Sequence, residues 1–250
     1  MLIWIIGFAL IAAVGSIAAA SLILLFPIEK RKKVLPWLIS YATGTLLGAS
    51  FLGLLPEAME TLSNAETLGA TLVGIILFFI LEKLIIWRHC HQHDCDAHNR
   101  AGVLIMVGDS VHNFIDGIVI AMAFLVSVPL GIATAFAVIS HEIPQEVGDF
   151  AILIESGYTK KKAFLFNLFS SFSTLVGGIL GYFFLSSMEK SMPYLMAVSA
   201  ASFIYVAVAD LFPNLHKYTA LSHTILQILF IVLGVFSIVL IRSLSHSHSH

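Results

Sequence analysis

Eight predominantly apolar runs follow one another along the chain, at roughly 2–26, 36–58, 67–87, 102–126, 129–155, 162–186, 192–214 and 222–242. A helix needs ~20 apolar residues to cross a hydrocarbon core ~30 Å thick, so each run predicts a membrane-spanning helix. The connections are short and leave no room for a soluble domain. The pattern therefore predicts an all-α integral membrane protein, one eight-helix transmembrane bundle over residues 1–250. The first run ends in small residues, Ala18-Ala19-Ala20-Ser21, as secretory signals do. It has no basic start and its apolar stretch is too long for such a signal, so it reads as a helix of the bundle.

Two runs break the pattern in a regular way. In the fourth, Asp109, His112, Asn113 and Asp116 stand at i, i+3, i+4 and i+7, which aligns them in one stripe. In the fifth, His141, Glu142, Gln145 and Asp149 fall within about a third of the helix circumference, with Glu146 just beyond. Counted from the end at which each span enters, His112 and His141 both lie ~18 Å deep. The two stripes can therefore meet near the bilayer midplane.

Composition agrees with this picture, with 58% hydrophobic and 11% charged residues against about 25% charged in soluble domains. The distribution of Lys and Arg adds an orientation. Lys30–Lys33, Lys83, Arg88, Arg100, Lys160–Lys162 and Lys217 flank alternate connections, and only Lys190 and Arg242 fall on the other side. The positive-inside rule then puts those alternate connections in the cytoplasm and both termini outside. Cys90 and Cys95 lie in one such cytoplasmic connection, where thiols stay reduced, so no disulfide is expected.

The stripes carry five acids, Asp109, Asp116, Glu142, Glu146 and Asp149, and no Lys or Arg. A polar network that merely glues helices would not need so many. Carboxylates at this depth either take up protons or await a cation. Imidazoles with carboxylates and amide oxygens suit a borderline divalent ion such as Zn²⁺, with Fe²⁺ or Mn²⁺ as alternatives, and K⁺ or Na⁺ would not call for imidazole. Pro144 removes a backbone donor next to this stripe, and irregular backbone is tolerated at such depth where it lines a cavity or is packed by protein.

The motifs "GDSVHNFIDG", "HEIPQEVGDFAIL", "YVAVADLFP" and "GTLLGASFLGLLPEA" resemble those of the ZIP (Zrt/Irt-like) family of divalent-metal transporters, in its zinc-transporting subgroup. The resemblance implies a binuclear midplane site between helices four and five and inward transport by alternating access. It implies ligands at His112, Asn113, Asp116, His141, Glu142 and Gln145, with Asn167 of span six at the edge of the second metal position and Asp210 on the inner release path. From the stripes themselves, Glu146 is a further candidate ligand, and Asp109 and Asp149 are candidates for the transport path. Three positions depart from the subgroup. Gln145 replaces a second His, Ala49 and Gly53 replace an Asp and a His in span two, and Asn214 replaces a Glu.

A second cluster, "HCHQHDCDAH", places His89, Cys90, His91, His93, Cys95 and His98 in a cytoplasmic connection and predicts loose binding of borderline metals. The terminal "SHSHSH" repeat has the same capacity. Gly177 and Gly181 form a small-residue face for either internal packing or a homodimer contact. The rival readings are a zinc-dependent intramembrane hydrolase, since "HEIPQ" approaches HExxH, and a metal-gated sensor without flux. The expected protein is not an enzyme and needs no catalytic cofactor. Its partners are membrane lipid and divalent ions, not nucleic acid. Its expected place is a cell membrane, the plasma or inner membrane of a prokaryote.

Overall fold

The computed structural model describes residues 1–87, 97–218 and 220–246. All regular structure among them is helical, in eight successive rods. We number these α1 (Leu2–Leu24), α2 (Ile28–Met59), α3 (Asn64–Trp87), α4 (Ala97–Val126), α5 (Val128–Glu155), α6 (Lys160–Leu185), α7 (Met192–Leu215) and α8 (Leu221–His246). Seven of them are long and apolar enough to cross a membrane among the described residues, all but α5. The exception is the helix diluted by His141, Glu142, Gln145, Glu146 and Asp149. The protein is thus a multi-pass membrane protein whose backbone polar groups are satisfied within helices, as hydrocarbon demands.

Several rods outrun the apolar runs. α2 already begins at Ile28, so Lys30–Lys33 are helical, and α4 extends back to Ala97. Long basic side chains let a helix continue past the hydrocarbon because their charged heads reach the interface. The turns carry local signals. Ser63 and Glu66 form a reciprocal capping box, the Ser63 N–H donating to Oε2 at 2.9 Å and the Glu66 N–H donating to Oγ at 3.2 Å. Ser127 alone connects α4 to α5, its Oγ accepting from the Leu130 N–H at 3.3 Å with Pro129 in the first turn. Gly157, at φ +87°, ends α5 in the left-handed region.

Close approach of backbones sets the packing. A Cβ on Gly117 of α4 would lie 2.0 Å from the Thr174 carbonyl oxygen of α6, and one on Gly177 would lie 2.0 Å from that of Phe114. A Cβ on Gly181 would meet Ala121 at 3.0 Å. Gly177 and Gly181 are therefore committed to internal packing, which removes the basis for assigning them to a homodimer contact. α2 and α8 meet in the same way, where a Cβ on Gly44 would lie 2.1 Å from the Ile231 carbonyl oxygen. α1 packs into the core through the fully buried Ile5 and Ala9.

Three rods contain a wide π turn, at Ile11–Gly15, Ser50–Leu54 and Val206–Leu211. Such turns leave carbonyl groups free for other partners. At the α2 turn the Arg242 guanidinium of α8 donates to the Leu52 carbonyl and also lies 3.5 Å from the Glu57 carboxylate.

Candidate metal centre

The single-residue turn at Ser127 folds α4 back along α5, so residues equally distant from it share a level. His112 and Glu142 are each fifteen residues away, and Asp109 and Gln145 are each eighteen away. The stripes on the two helices accordingly face each other at the same depth.

Four side chains converge there. The His112 and His141 Nε2 atoms are 3.1 Å apart. Asp116 Oδ2 lies 3.0 Å from His141 Nε2 and 3.5 Å from His112 Nε2. Glu142 Oε1 lies 3.7 Å from His141 Nε2 and 3.9 Å from His112 Nε2. One ligand atom from each residue thus sits within 4.8 Å of the others. Tetrahedral Zn²⁺ with bonds of ~2.0–2.1 Å has ligand–ligand edges of about 3.4 Å, and the observed separations bracket that value.

Hydrogen bonding prepares the donors. His141 Nδ1 lies 3.1 Å from the Ala137 carbonyl oxygen, one turn back on α5. A carbonyl can only accept, so a neutral ring carries its proton on Nδ1 and turns the Nε2 lone pair toward the cluster. Asp116 Oδ2 and both Glu142 carboxylate oxygens are buried without a hydrogen bond. Lone pairs and carboxylate oxygens facing one another in a buried space repel unless a cation lies between them.

The remaining predicted residues form a separate layer. Asp109 Oδ1 accepts from Asn113 Nδ2 at 3.0 Å and from Gln145 Nε2 at 2.9 Å. Thr174 of α6 donates to Asn113 Oδ1 at 2.9 Å. Ser171 donates a short hydrogen bond to the Glu146 carboxylate, and Asn167 donates to the Glu146 backbone carbonyl at 3.2 Å. Ser171 and Thr174 did not figure among the expected residues. Their signal is present in sequence, since Asn167, Ser171, Thr174 and Gly178 recur at helical spacing on α6. α5 continues through Pro144 as regular α-helix, and that residue lines a cavity rather than breaking the rod.

This cavity, about 440 Å³, reaches His112 and is bounded by Glu82, Asp109, Asp149, Tyr205 and Asp210 among others. His112 is 23% exposed toward it, whereas His141 is 1% exposed. Asp149 and Asp210 therefore face the cavity and not the four-residue cluster. Glu82 is a further acid that the sequence pattern left unmarked; its carboxylate accepts a short hydrogen bond from Tyr205. Asn214 also lines the wall, its amide donating to the Asp210 carbonyl and accepting from Lys217. Away from the cavity, the His141 ring packs edge-on to Phe203 with ring centroids 6.2 Å apart. Ala49 and Gly53, which stand in place of the subgroup's Asp and His, are buried and offer no side-chain donor. His89, Cys90, His91, His93 and Cys95 lie outside the described residues, and of His98 only the helical backbone is described.

Residues 87–242 match the family model described as ZIP Zinc transporter. A protein of Pongo abelii named Zinc transporter ZIP13 is 31% identical over 222 residues, covering 81% of this chain and 65% of that protein. The Mus musculus protein of the same name is 30% identical over 252 residues, covering 82% of this chain and 69% of its own. Zinc transporter foi of Drosophila melanogaster is 36% identical over 162 residues, covering 59% of this chain and 23% of its own. The chain thus spans about two thirds of the first two relatives and less than a quarter of the third.

Proposed function

The chain belongs to the ZIP zinc transporter family, and we propose that it carries Zn²⁺ across a membrane into the cytoplasm through the centre formed by His112, Asp116, His141 and Glu142. One observation carries this reading: four ligand atoms at coordination spacing, three of the four residues buried, between two helices and with no Lys or Arg paired to them among the described residues. The ion is cargo, with Fe²⁺ and Mn²⁺ as alternative substrates of the same donor set. The reading takes all eight rods as transmembrane helices and, from the Lys and Arg pattern, both termini as external. The cavity at Glu82, Asp149 and Asp210 then opens toward the cytoplasm, and its carboxylates attract an ion leaving His112. Alternating access requires a second state in which the outer half, packed in this one by Leu54, Phe124 and Leu130, admits the ion.

A hydrolase finds no support, because the family is one of transporters and the Gln145 amide is turned to Asp109 instead of completing an HExxH pair. A sensor without flux makes the opposite prediction in one assay. Reconstituted into liposomes with a zinc-sensitive dye inside, the protein should give saturable uptake; zinc binding without any uptake would leave the sensor reading standing. We place the protein in a cell membrane, with lipid and divalent ions as its partners. The relatives are animal and fungal and lend no support to a prokaryotic source.

Two further outcomes follow from the ligand chemistry. Metal binding needs imidazoles with a free ring nitrogen, so protons compete with Zn²⁺ for His112 and His141 and affinity falls as the solution is acidified. Equilibrium dialysis against Zn²⁺ over an acidifying series measures it, and a flat affinity would exclude imidazole coordination. Replacing His89, Cys90, His91, His93, Cys95 and His98 together should lower the number of bound ions yet retain most uptake, since the replacement leaves α4 and α5 at the midplane unchanged. Complete loss of uptake in a well-inserted variant would put that connection on the pathway.

A further inference from the structure

The donors beside the four-residue cluster are arranged unlike ligands. An ion requires oxygen lone pairs, and an amide nitrogen offers none. Three amides adjoin the cluster, and each presents its nitrogen. Gln145 and Asn113 both direct N–H groups to Asp109 Oδ1, and Asn167 directs its own to the Glu146 backbone carbonyl. Thr174 engages the Asn113 oxygen. Neither Asn113 nor Gln145 can simply rotate its amide, because the reversed group would set an oxygen against the Asp109 carboxylate. Among the described residues, the acids Asp109, Glu146 and Asp149 do not join the group whose ligand atoms converge.

Resting on the transport reading above, we infer that the centre holds a single ion, and that Gln145 and Asn113, clamped on Asp109, close the neighbouring position to a second. Two N–H dipoles do for Asp109 Oδ1 what an ion's charge would do. Gln145 sets this occupancy because it stands level with Asp109 across the Ser127 turn and supplies the bond that joins α5 to α4. A carboxylate at position 145 would instead place two acids side by side at that level, an arrangement that recruits a cation.

The test uses the full chain with the six ligands of residues 89–98 and the terminal His246, His248 and His250 replaced, to remove peripheral binding. Zinc is counted per chain by elemental analysis after dialysis, and loss of one ion in His112→Ala assigns that ion to the centre. One ion is expected in the parent and two in Gln145→Glu, with a zinc–zinc distance appearing in X-ray absorption of the variant alone. Asn113→Asp, which removes the other N–H donor, should behave the same way if Gln145→Glu inserts poorly. Two ions with a zinc–zinc distance in the parent, or one in both well-folded variants, would overturn the inference. A parent that counts two ions and still transports defeats the clamp alone, whereas a parent that binds no such ion and moves none defeats the transport reading with it.

Discussion

Replacing His141 by alanine should abolish zinc uptake while the protein still inserts and elutes as the parent does. Residues that merely orient a ligand typically cost 10- to 100-fold in affinity, so removing a ligand that is itself oriented by the Ala137 carbonyl should cost at least about 100-fold. The change also leaves Asp116 and Glu142 as buried acids short of a neighbour. His112→Ala should have a comparable effect, while His216→Ala serves as a control because His216 does not belong to the converging group. Initial rates of dye-reported uptake, normalised to inserted protein, decide the matter. Parent-like rates in both variants would remove the cluster from the pathway.

The second large effect concerns Gly117, one residue beyond Asp116. A valine there puts a Cβ where the Thr174 carbonyl oxygen already lies, 2.0 Å away. The obstruction is backbone, so no side chain can yield, and α4 and α6 must separate by about 1.4 Å before ordinary contact at 3.4 Å is restored. Overpacking usually costs about 1–3 kcal/mol, and this contact should reach or exceed the upper end. A lower thermal midpoint in detergent is expected, with uptake falling even in the fraction that folds, because Asp116 is carried away from His141. Gly7→Ala provides the contrast, since nothing lies within 4 Å of its added Cβ. Equal midpoints for Gly117→Val and Gly7→Ala would mean that α4 and α6 do not pack as described.

The all-helical architecture and the level of the polar stripes were legible because both depend on local periodicity. Asp109, His112, Asn113 and Asp116 repeat at helical spacing, and a turn as short as Ser127 forces its two helices to lie antiparallel at matched depth. The division within each stripe was not legible. His112 and Asp116 point into the cluster while Asp109 and Asn113 join the amide layer, a distinction set by the relative rotation of α4 and α5 and by α6 packing behind them. The family resemblance places Gln145 and Asn113 among the ligands, and an amide has an oxygen to offer. Which end it turns inward depends on Asp109 and Thr174, residues on other helices or other turns. Gly117 escaped notice for a similar reason, since its partner lies on α6, fifty-seven residues further along at Thr174.

The unequal exposure of the two imidazoles, 23% for His112 and 1% for His141, gives the proposed centre a direction in time. Water displaces first the donor it can reach, so on the proposed reading an ion leaving this state would exchange its His112 bond first and stay tethered to His141 until last. The two rings would then divide the labour, one as the exit ligand and the other as the anchor. A reagent that acylates imidazole from the aqueous side would meet them in that same order, marking His112 while His141 stays intact.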